Sequence, residues 1–274
     1  MAYPKILTIQ DISCVGQCSL TVALPIISAC GVETCILPSA VLSTHTAFKG
    51  FTFRDLTDDM PAICDHWQKE NIKFDGIYTG YLGSIKQIDY VIDIIKKLNK
   101  KDAKAIIDPA MADNGKLYPL FDREYVNAMK SLCAHADYLI PNITEACFLT
   151  DTEYKTEYDR TYIDAIIERL TALGTKNVIL TGVSYRQGHT GIVVFEKGEY
   201  KYYEHEFLHR SCHGTGDIFA SAFTGVLVGG KTAFEAAKIA ADYTVECIRQ
   251  TANQENHWYG ATFELAIKKL VEML

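Results

Sequence analysis

The chain has 274 residues, of which 48% are hydrophobic and 22% charged, and its net charge is −7. That length supports a large hydrophobic core. The acidic balance, with no gathered basic patch, excludes a nucleic-acid surface, and the lack of any run of about 18 apolar residues excludes a transmembrane helix.

In chain order, the pattern predicts a strand over residues 6–9 and a helix over 18–30, closed by Gly31 as its C-terminal cap. A second strand is expected over 33–38, a helix over 56–71 and a strand over 74–79. Ile88, Val91, Ile92, Ile95 and Leu98 recur at the helical period and place a helix over 85–98. A strand over 104–107 stops at Asp108-Pro109. A helix over 124–133 leads to a strand over 138–140 that stops at Pro141-Asn142. A helix over 163–173 ends at Gly174, and a strand over 177–180 stops at Thr181-Gly182. Segments 190–195 and 200–207 flank Lys197-Gly198-Glu199, a hairpin signal. Helices over 217–228, 232–250 and 262–273 complete the pattern.

Strand–helix alternation of this kind implies a three-layer α/β/α sandwich with a mostly parallel central sheet. No linker or low-complexity stretch interrupts it, so residues 1–274 are expected to form one domain. Nine cysteines, an odd number without a CxxC pair, read as free thiols of a reducing compartment. Cys14 and Cys18 have no matching His/Cys pair at zinc spacing. The opening Met1-Ala2-Tyr3-Pro4-Lys5 has no charged region followed by a cleavable apolar one, which predicts a cytoplasmic protein.

The stretch Gly214-Thr215-Gly216-Asp217 opens the helix over 217–228. Its glycines allow a tight turn and close backbone approach to a ligand. The free N–H groups of a first helical turn favour a phosphate. Asp217 repels that anion, which makes sense if it accepts a proton from a hydroxyl attacking phosphorus. The alternative is an ordinary helix cap supplied by Thr215 or Asp217. Ligands of parallel sheets bind beyond the carboxyl ends of the strands. Gln10-Asp11, Ser43-Thr44-His45-Thr46, Thr79-Gly80-Tyr81, Asp108 with Asp113, Asn142 with Glu145, and Thr181 all fall there. Asp108, Asp113 and Glu145 offer hard oxygen ligands of the type Mg²⁺ takes.

With these blocks in order, the chain resembles the ribokinase-like superfamily, and within it the pyridoxal (pyridoxine, pyridoxamine) kinases. The match rests on Ile9-Gln10, Leu42-Ser43-Thr44-His45-Thr46, Thr79-Gly80-Tyr81-Leu82-Gly83, Asp108-Pro109-Ala110-Met111-Ala112-Asp113, Pro141-Asn142-Ile143-Thr144-Glu145 and Gly214-Thr215-Gly216-Asp217. The resemblance implies ATP-dependent phosphorylation of the 5′-hydroxymethyl group of a B6 vitamer. Asp217 is then the base, with a carboxylate's ordinary pKa of about 3.9 if exposed. The backbone of Gly214, Thr215 and Gly216 forms the anion hole. Asp108, Asp113 and Glu145 organise Mg²⁺, Asn142 reaches metal or phosphate, and Thr181 meets the nucleotide phosphates. Asp11, His45, Thr46 and Tyr81 line the acceptor pocket, with Val15 and Phe48 as apolar walls. A potassium-like cation and a homodimer are further family traits.

Two departures stand out. Asp11 replaces the family's serine, which implies a preference for a cationic ring or an aminomethyl group, as in pyridoxamine. Ala112 replaces a glycine, which implies an altered turn before Asp113. No β-lid is found, so a loop over 44–55 or 184–190 is expected to close the site. Hydroxymethylpyrimidine (phosphate) kinase is the nearest alternative on the same fold, and a non-catalytic vitamer-binding protein is a more distant one. A Rossmann dehydrogenase is excluded because no GxGxxG follows the first strand.

Overall fold

The computed structural model describes residues 3–210, 212–254 and 257–274. The chain begins with β1 (Lys5–Ser13), α1 (Leu20–Ala29), β2 (Glu33–Leu42), β3 (Phe53–Asp55), α2 (Met60–Lys69), β4 (Phe74–Thr79) and α3 (Ile85–Leu98). It continues through β5 (Asn99–Ile107), β6 (Ala112–Asp113), β7 (Lys116–Leu117), α4 (Arg123–Cys133), β8 (Tyr138–Leu139), α5 (Ile143–Thr150) and α6 (Arg160–Ala172). It closes with β9 (Asn177–Val183), β10 (His189–Glu196), β11 (Glu199–Glu206), α7 (Thr215–Val228), α8 (Ala233–Ala252), a 3₁₀ turn (Phe263–Ala266) and α9 (Ile267–Met273). Among the described residues no helix is long and apolar enough to cross a membrane.

Nine strands form one sheet in the order β11-β10-β9-β8-β5-β4-β1-β2-β3. The run from β9 to β2 is parallel, and β10, β11 and β3 add antiparallel edges. Ile6, Leu7 and Ile9 of β1 are all fully buried, as a strand covered on both faces requires. One face packs against α2 to α6 through residues such as Leu7, Ile77, Ile88, Val126 and Ile166. The other packs against α1, α7, α8 and α9 through Ile6, Ile26, Phe223, Ala237 and Leu270. This is the expected three-layer α/β/α sandwich. From β1 the chain steps to β2 on one side and to β4, β5, β8 and β9 on the other, so the topological switch lies between β1 and β4. Ligands of such sheets bind beyond that point.

The structure extends or adds several elements. β2 runs to Leu42, past Pro38, and β5 starts at Asn99 rather than 104. α1 starts at Leu20, α2 at Met60 and α7 at Thr215, each within a turn or so of the expected boundary. β3, the β6–β7 hairpin and α5 are additional elements. The last helix opens as a 3₁₀ turn before α9. The Lys197-Gly198 hairpin forms as expected, with both residues at positive φ (53° and 84°) and Glu196 opposite Glu199.

Candidate active site

The turn into α7 is fixed by Gly214. Its φ is 78°, and a Cβ there would stand 1.8 Å from the Gln17 carbonyl oxygen. Only glycine fits that left-handed, crowded position. Gly216 is different: its φ is not left-handed, and nothing lies within 4 Å of where a Cβ would stand. The packing gives no reason for a glycine there, whereas a ligand seated on the helix N-terminus does.

Asp217 follows in the first turn of α7, half-buried. Burial pushes its carboxyl up to about 7, opposed by a hydrogen bond from the Ser19 backbone and reinforced by the charge of Asp11. This departs from the value near 3.9 expected of an exposed carboxylate, because Asp217 is withdrawn from water, with the charge of Asp11 adding to the effect. Asp108, just past β5 and 8% exposed, is raised well above its ordinary value by burial and by Glu145 and Asp217. Glu145, 3% exposed, is pushed up to about 7 by burial, against backbone hydrogen bonds from Asn142, Met111 and Ala112.

Glu145 also has a structural task. One carboxylate oxygen accepts from Met111 N at 3.1 Å and the other from Asn142 N at 2.9 Å. Asn142 returns the favour: its side-chain oxygen accepts from Glu145 N at 2.9 Å, a capping box at the start of α5. Its Nδ2 donates to Ala112 O at 2.9 Å. Asp113 is exposed and accepts from the Asn114 amide and side chain, and its charge adds to those acting on Glu145. Among the described residues no three His, Cys, Asp or Glu side chains converge as ligands of one ion. The expected trio therefore does not form a ready cage. What remains is a pair, Asp108 and Glu145, with no lysine or arginine among the groups acting on either. Such uncompensated carboxylates fit Mg²⁺ held through few protein oxygens plus water and phosphate.

Asp113, Asn142 and Thr181 instead line a separate cavity of about 440 Å³, together with Thr144, Gly182, His189 and Phe207. Thr181 lies inside β9, where its N–H donates to Pro141 O at 2.9 Å. The turn at the hairpin is Asn114-Gly115, both at positive φ (51° and 75°), a type I′ turn placed after Asp113. Ala112, buried in β6, therefore needs no glycine-like backbone and leaves the turn intact.

Asp11, whose charge reaches Asp217, is 5% exposed, accepts from Ser13 Oγ at 3.0 Å, and is raised by burial. Tyr81 feels the charge of Asp11 and packs on Phe121 with ring centroids 5.5 Å apart. His45 is buried, but both ring nitrogens are engaged: Nδ1 accepts from Ala47 N at 3.2 Å, which leaves Nε2–H to donate to Tyr259 O at 2.8 Å. It sits among Phe48, His213 and Trp258. His45 thus ties the 43–52 loop to the segment at 257–260 and presents ring edge rather than a free nitrogen. Thr46 and Val15 are exposed, Val15 by 50%.

Sequence reading missed two neighbours. Cys18 stands close enough to Asp217 and Asp11 for both to raise its thiol, which burial pushes up to about 12. Tyr118 is raised by burial, and further by the charges of Glu145, Asp108, Asp113 and Asp217. Its N–H donates to Met111 O at 2.9 Å as the hairpin returns. The Asn114-Gly115 pair was the signal that could have found it.

The sequence matches the phosphomethylpyrimidine kinase family model over residues 30–262. The chain belongs to the phosphomethylpyrimidine kinase family. Among solved structures, a Bacteroides thetaiotaomicron protein with a provisional phosphomethylpyrimidine kinase assignment is 38% identical with a TM-score of 0.95, covering 98% of this chain and 94% of that one. A second crystal form of that protein contains pyridoxal (37% identity, TM-score 0.92, covering 98% and 96%). The pyridoxal kinase of Lactobacillus plantarum is 28% identical with a TM-score of 0.91, covering 99% of this chain and 98% of that chain. The pyridoxal kinase of Dictyostelium discoideum is 27% identical over 81% of this chain and 78% of its own length. Like its phosphomethylpyrimidine kinase relatives, the chain is a ribokinase-like phosphotransferase.

Proposed function

We propose that the protein transfers the γ-phosphoryl group of ATP to the 5′-hydroxymethyl of a B6 vitamer. The observation that carries this reading is Asp217 in the first turn of α7 behind the left-handed Gly214, within reach of the charges of both Asp108 and Asp11. The related Bacteroides protein that crystallised with pyridoxal supports the acceptor. Asp217 accepts the hydroxyl proton, the hydroxyl oxygen bonds to the γ-phosphorus, and the bond to the β-phosphate oxygen breaks to release ADP. A carboxyl near 7 is better matched to this task at neutral pH than an ordinary one. Backbone amides at Gly214–Gly216 stabilise the transferring oxygens. Asp108 and Glu145 hold Mg²⁺, which supplies charge neutralisation at the phosphates when bound. The cavity lined by Asp113, Asn142 and Thr181 would take the nucleotide. Asp11 and Tyr81 bound the acceptor pocket, with His45 shaping it through the loop it ties down.

A monovalent cation site, a homodimer and a cytoplasmic location belong to the same reading. The family model and a Bacillus subtilis hydroxymethylpyrimidine/phosphomethylpyrimidine kinase, 27% identical over 73% of this chain, favour hydroxymethylpyrimidine as a second acceptor. A coupled assay with Mg-ATP and pyridoxal, pyridoxine, pyridoxamine or hydroxymethylpyrimidine tests both. A B6 vitamer is expected to give the highest kcat/KM. Turnover of the pyrimidine alone assigns the second reading, and no turnover of any acceptor removes both. Within the panel, Asp11→Ser is expected to lower kcat/KM for pyridoxamine relative to pyridoxal, and an unchanged ratio dismisses Asp11 as the selector.

A further inference from the structure

On the sheet face opposite α7, between the start of α6 and the β10–β11 hairpin, lies a cavity of about 540 Å³ that the proposed reaction does not use. Val193 of β10 is its apolar floor. Tyr200 and Tyr202 of β11 stand on one side of the strand, two residues apart, and Tyr158 and Tyr185 bring the phenol rings in the lining to four. Other rings brace them. Tyr185 leans on Tyr202 with centroids 4.9 Å apart, Tyr200 on Phe195 at 4.8 Å, and Tyr158 stacks on Tyr162 at 5.7 Å. At the rim, Arg160 and Asp164 sit one turn apart on α6, with Arg160 Nε 3.6 Å from the carboxylate. Lys201 also belongs to the lining, but its ammonium lies over Phe234 on the other face of the sheet, so Arg160 supplies the positive charge here.

A cavity of this volume, walled by rings and polar at one edge, has the make-up of a small-molecule site. Braced π-faces select a flat ring by stacking and lose little freedom when it enters. A guanidinium beside a carboxylate selects a ring edge with an acceptor next to a donor, as on the amino-pyrimidine edge of a nucleobase. Asp159 and Asp164 border the same opening and disfavour a phosphate. The cavity also shares a wall with the one of about 440 Å³ proposed for the nucleotide, because Tyr158 lines both. The Tyr158 hydroxyl accepts from Ser184 N at 3.0 Å and donates to Gly182 O at 3.4 Å, and Ser184 and Gly182 line the nucleotide cavity. Along the loop over 184–190, Ser184 and His189 border the nucleotide cavity and Tyr185 the tyrosine one. Ser184 Oγ donates to His189 O at 2.7 Å. A ring held against Tyr158 and Tyr185 therefore steadies the segment that a nucleotide meets.

We propose that the tyrosine cavity is a second ligand site, built for a nucleobase, and that its occupation favours nucleotide binding across Tyr158. The site stands on its own residues. Only the coupling rests on the reading of the neighbouring cavity as the nucleotide site.

Calorimetry with adenine as the probe tests this, on the full chain with and without a non-hydrolysable ATP analogue. Adenine is expected to bind in both cases, and about fivefold or more tightly with the analogue present, as reciprocal coupling requires. Adenine seated in the nucleotide cavity does the opposite: the analogue displaces it, and that result overturns the proposal, as does the absence of any binding heat. Tyr200 lines the tyrosine cavity and not the nucleotide one. Tyr200→Ala is expected to weaken adenine roughly tenfold, the scale of one lost base–aromatic stack, with KM for ATP in the absence of adenine unchanged. Tyr200→Phe is expected to keep the binding. Arg160→Ala, at an exposed position, is the second variant should Tyr200→Ala fail to fold, and it too is expected to weaken adenine. Unaltered adenine binding in both Tyr200→Ala and Arg160→Ala overturns the site. Indole, flat but without the paired edge, is expected to bind more weakly than adenine, and equal binding overturns the nucleobase as its ligand. Equal adenine affinity with and without the bound analogue defeats the coupling alone. An analogue that fails to bind in its own titration defeats the nucleotide reading and leaves the adenine site standing.

Discussion

Asp217 and the two glycines before it make distinct demands on chemistry. Asp217→Asn keeps the shape and removes the proposed proton acceptor. It is expected to lower kcat by about 10² or more while calorimetry with ADP shows nucleotide binding retained; near-normal turnover defeats the assignment. A base with a carboxyl near 7 also gives the wild type a rate that rises as pH climbs through about 7. A flat rate from pH 6 to 8 counts against Asp217 as that group. The glycines separate fold from ligand. Gly214→Ala sets a Cβ against the Gln17 carbonyl on a left-handed backbone and is expected to destabilise the protein by a few (~1–3) kcal/mol. Gly216→Ala meets nothing in the protein. It is expected to leave the urea midpoint unchanged and to raise KM for ATP, because its methyl enters the space assigned to phosphate. Equal loss of stability in both variants removes the argument for a ligand at Gly216.

At the scale of elements, the same capping motif occurs twice with different consequences. Thr232 and Glu235 cap α8 in solvent. Asn142 and Glu145 cap α5 in the interior, where Glu145 also holds the Met111 amide. Glu145→Ala leaves two buried amides without acceptors and is expected to cost about 2–4 kcal/mol in urea denaturation, well beyond the effect of Glu235→Ala. Equal effects refute the double role. How far each element was legible follows from such details. β4 and α3 match their expected bounds because Ser84 caps a clean 3.6-residue apolar stripe. α5 left no stripe, being eight residues long and buried nearly all round, yet its Asn142-x-x-Glu145 box was readable as a start signal. β2 was cut short at Pro38, which sits in the strand where its missing N–H is tolerated. The acids and the glycine turn were legible as types in order along the chain. Their partners Tyr118, Cys18 and Tyr259 were not, since hairpin return and a C-terminal segment folding back over His45 are long-range contacts without a local pattern.

The whole molecule carries a net charge of −7 and gathers Asp11, Asp108, Glu145 and Asp217 at the strand ends beside the switch between β1 and β4. Folding buries these carboxyls and sets them within reach of one another's charge, and the folded protein therefore binds protons there more tightly than the unfolded chain does. For a carboxyl raised on folding, the stabilising contribution is fully present below its unfolded value near 4 and is lost as pH rises through the folded value, about 7 for Asp217 and Glu145. The ligand-free protein is thus expected to lose stability between pH 5 and 8, and Asp217→Asn to melt higher than wild type at pH 8 but not at pH 5. A divalent cation that binds only the folded state reverses the loss by mass action. It competes with protons for the same oxygens, so Mg²⁺ is expected to raise the melting temperature more at pH 8 than at pH 6, measured by scanning calorimetry without nucleotide. An equal rise at both pH values, or none, places the cation elsewhere than on Asp108 and Glu145. A rise confined to the higher pH ties the protonation of these buried carboxyls to the cation proposed for the transfer reaction.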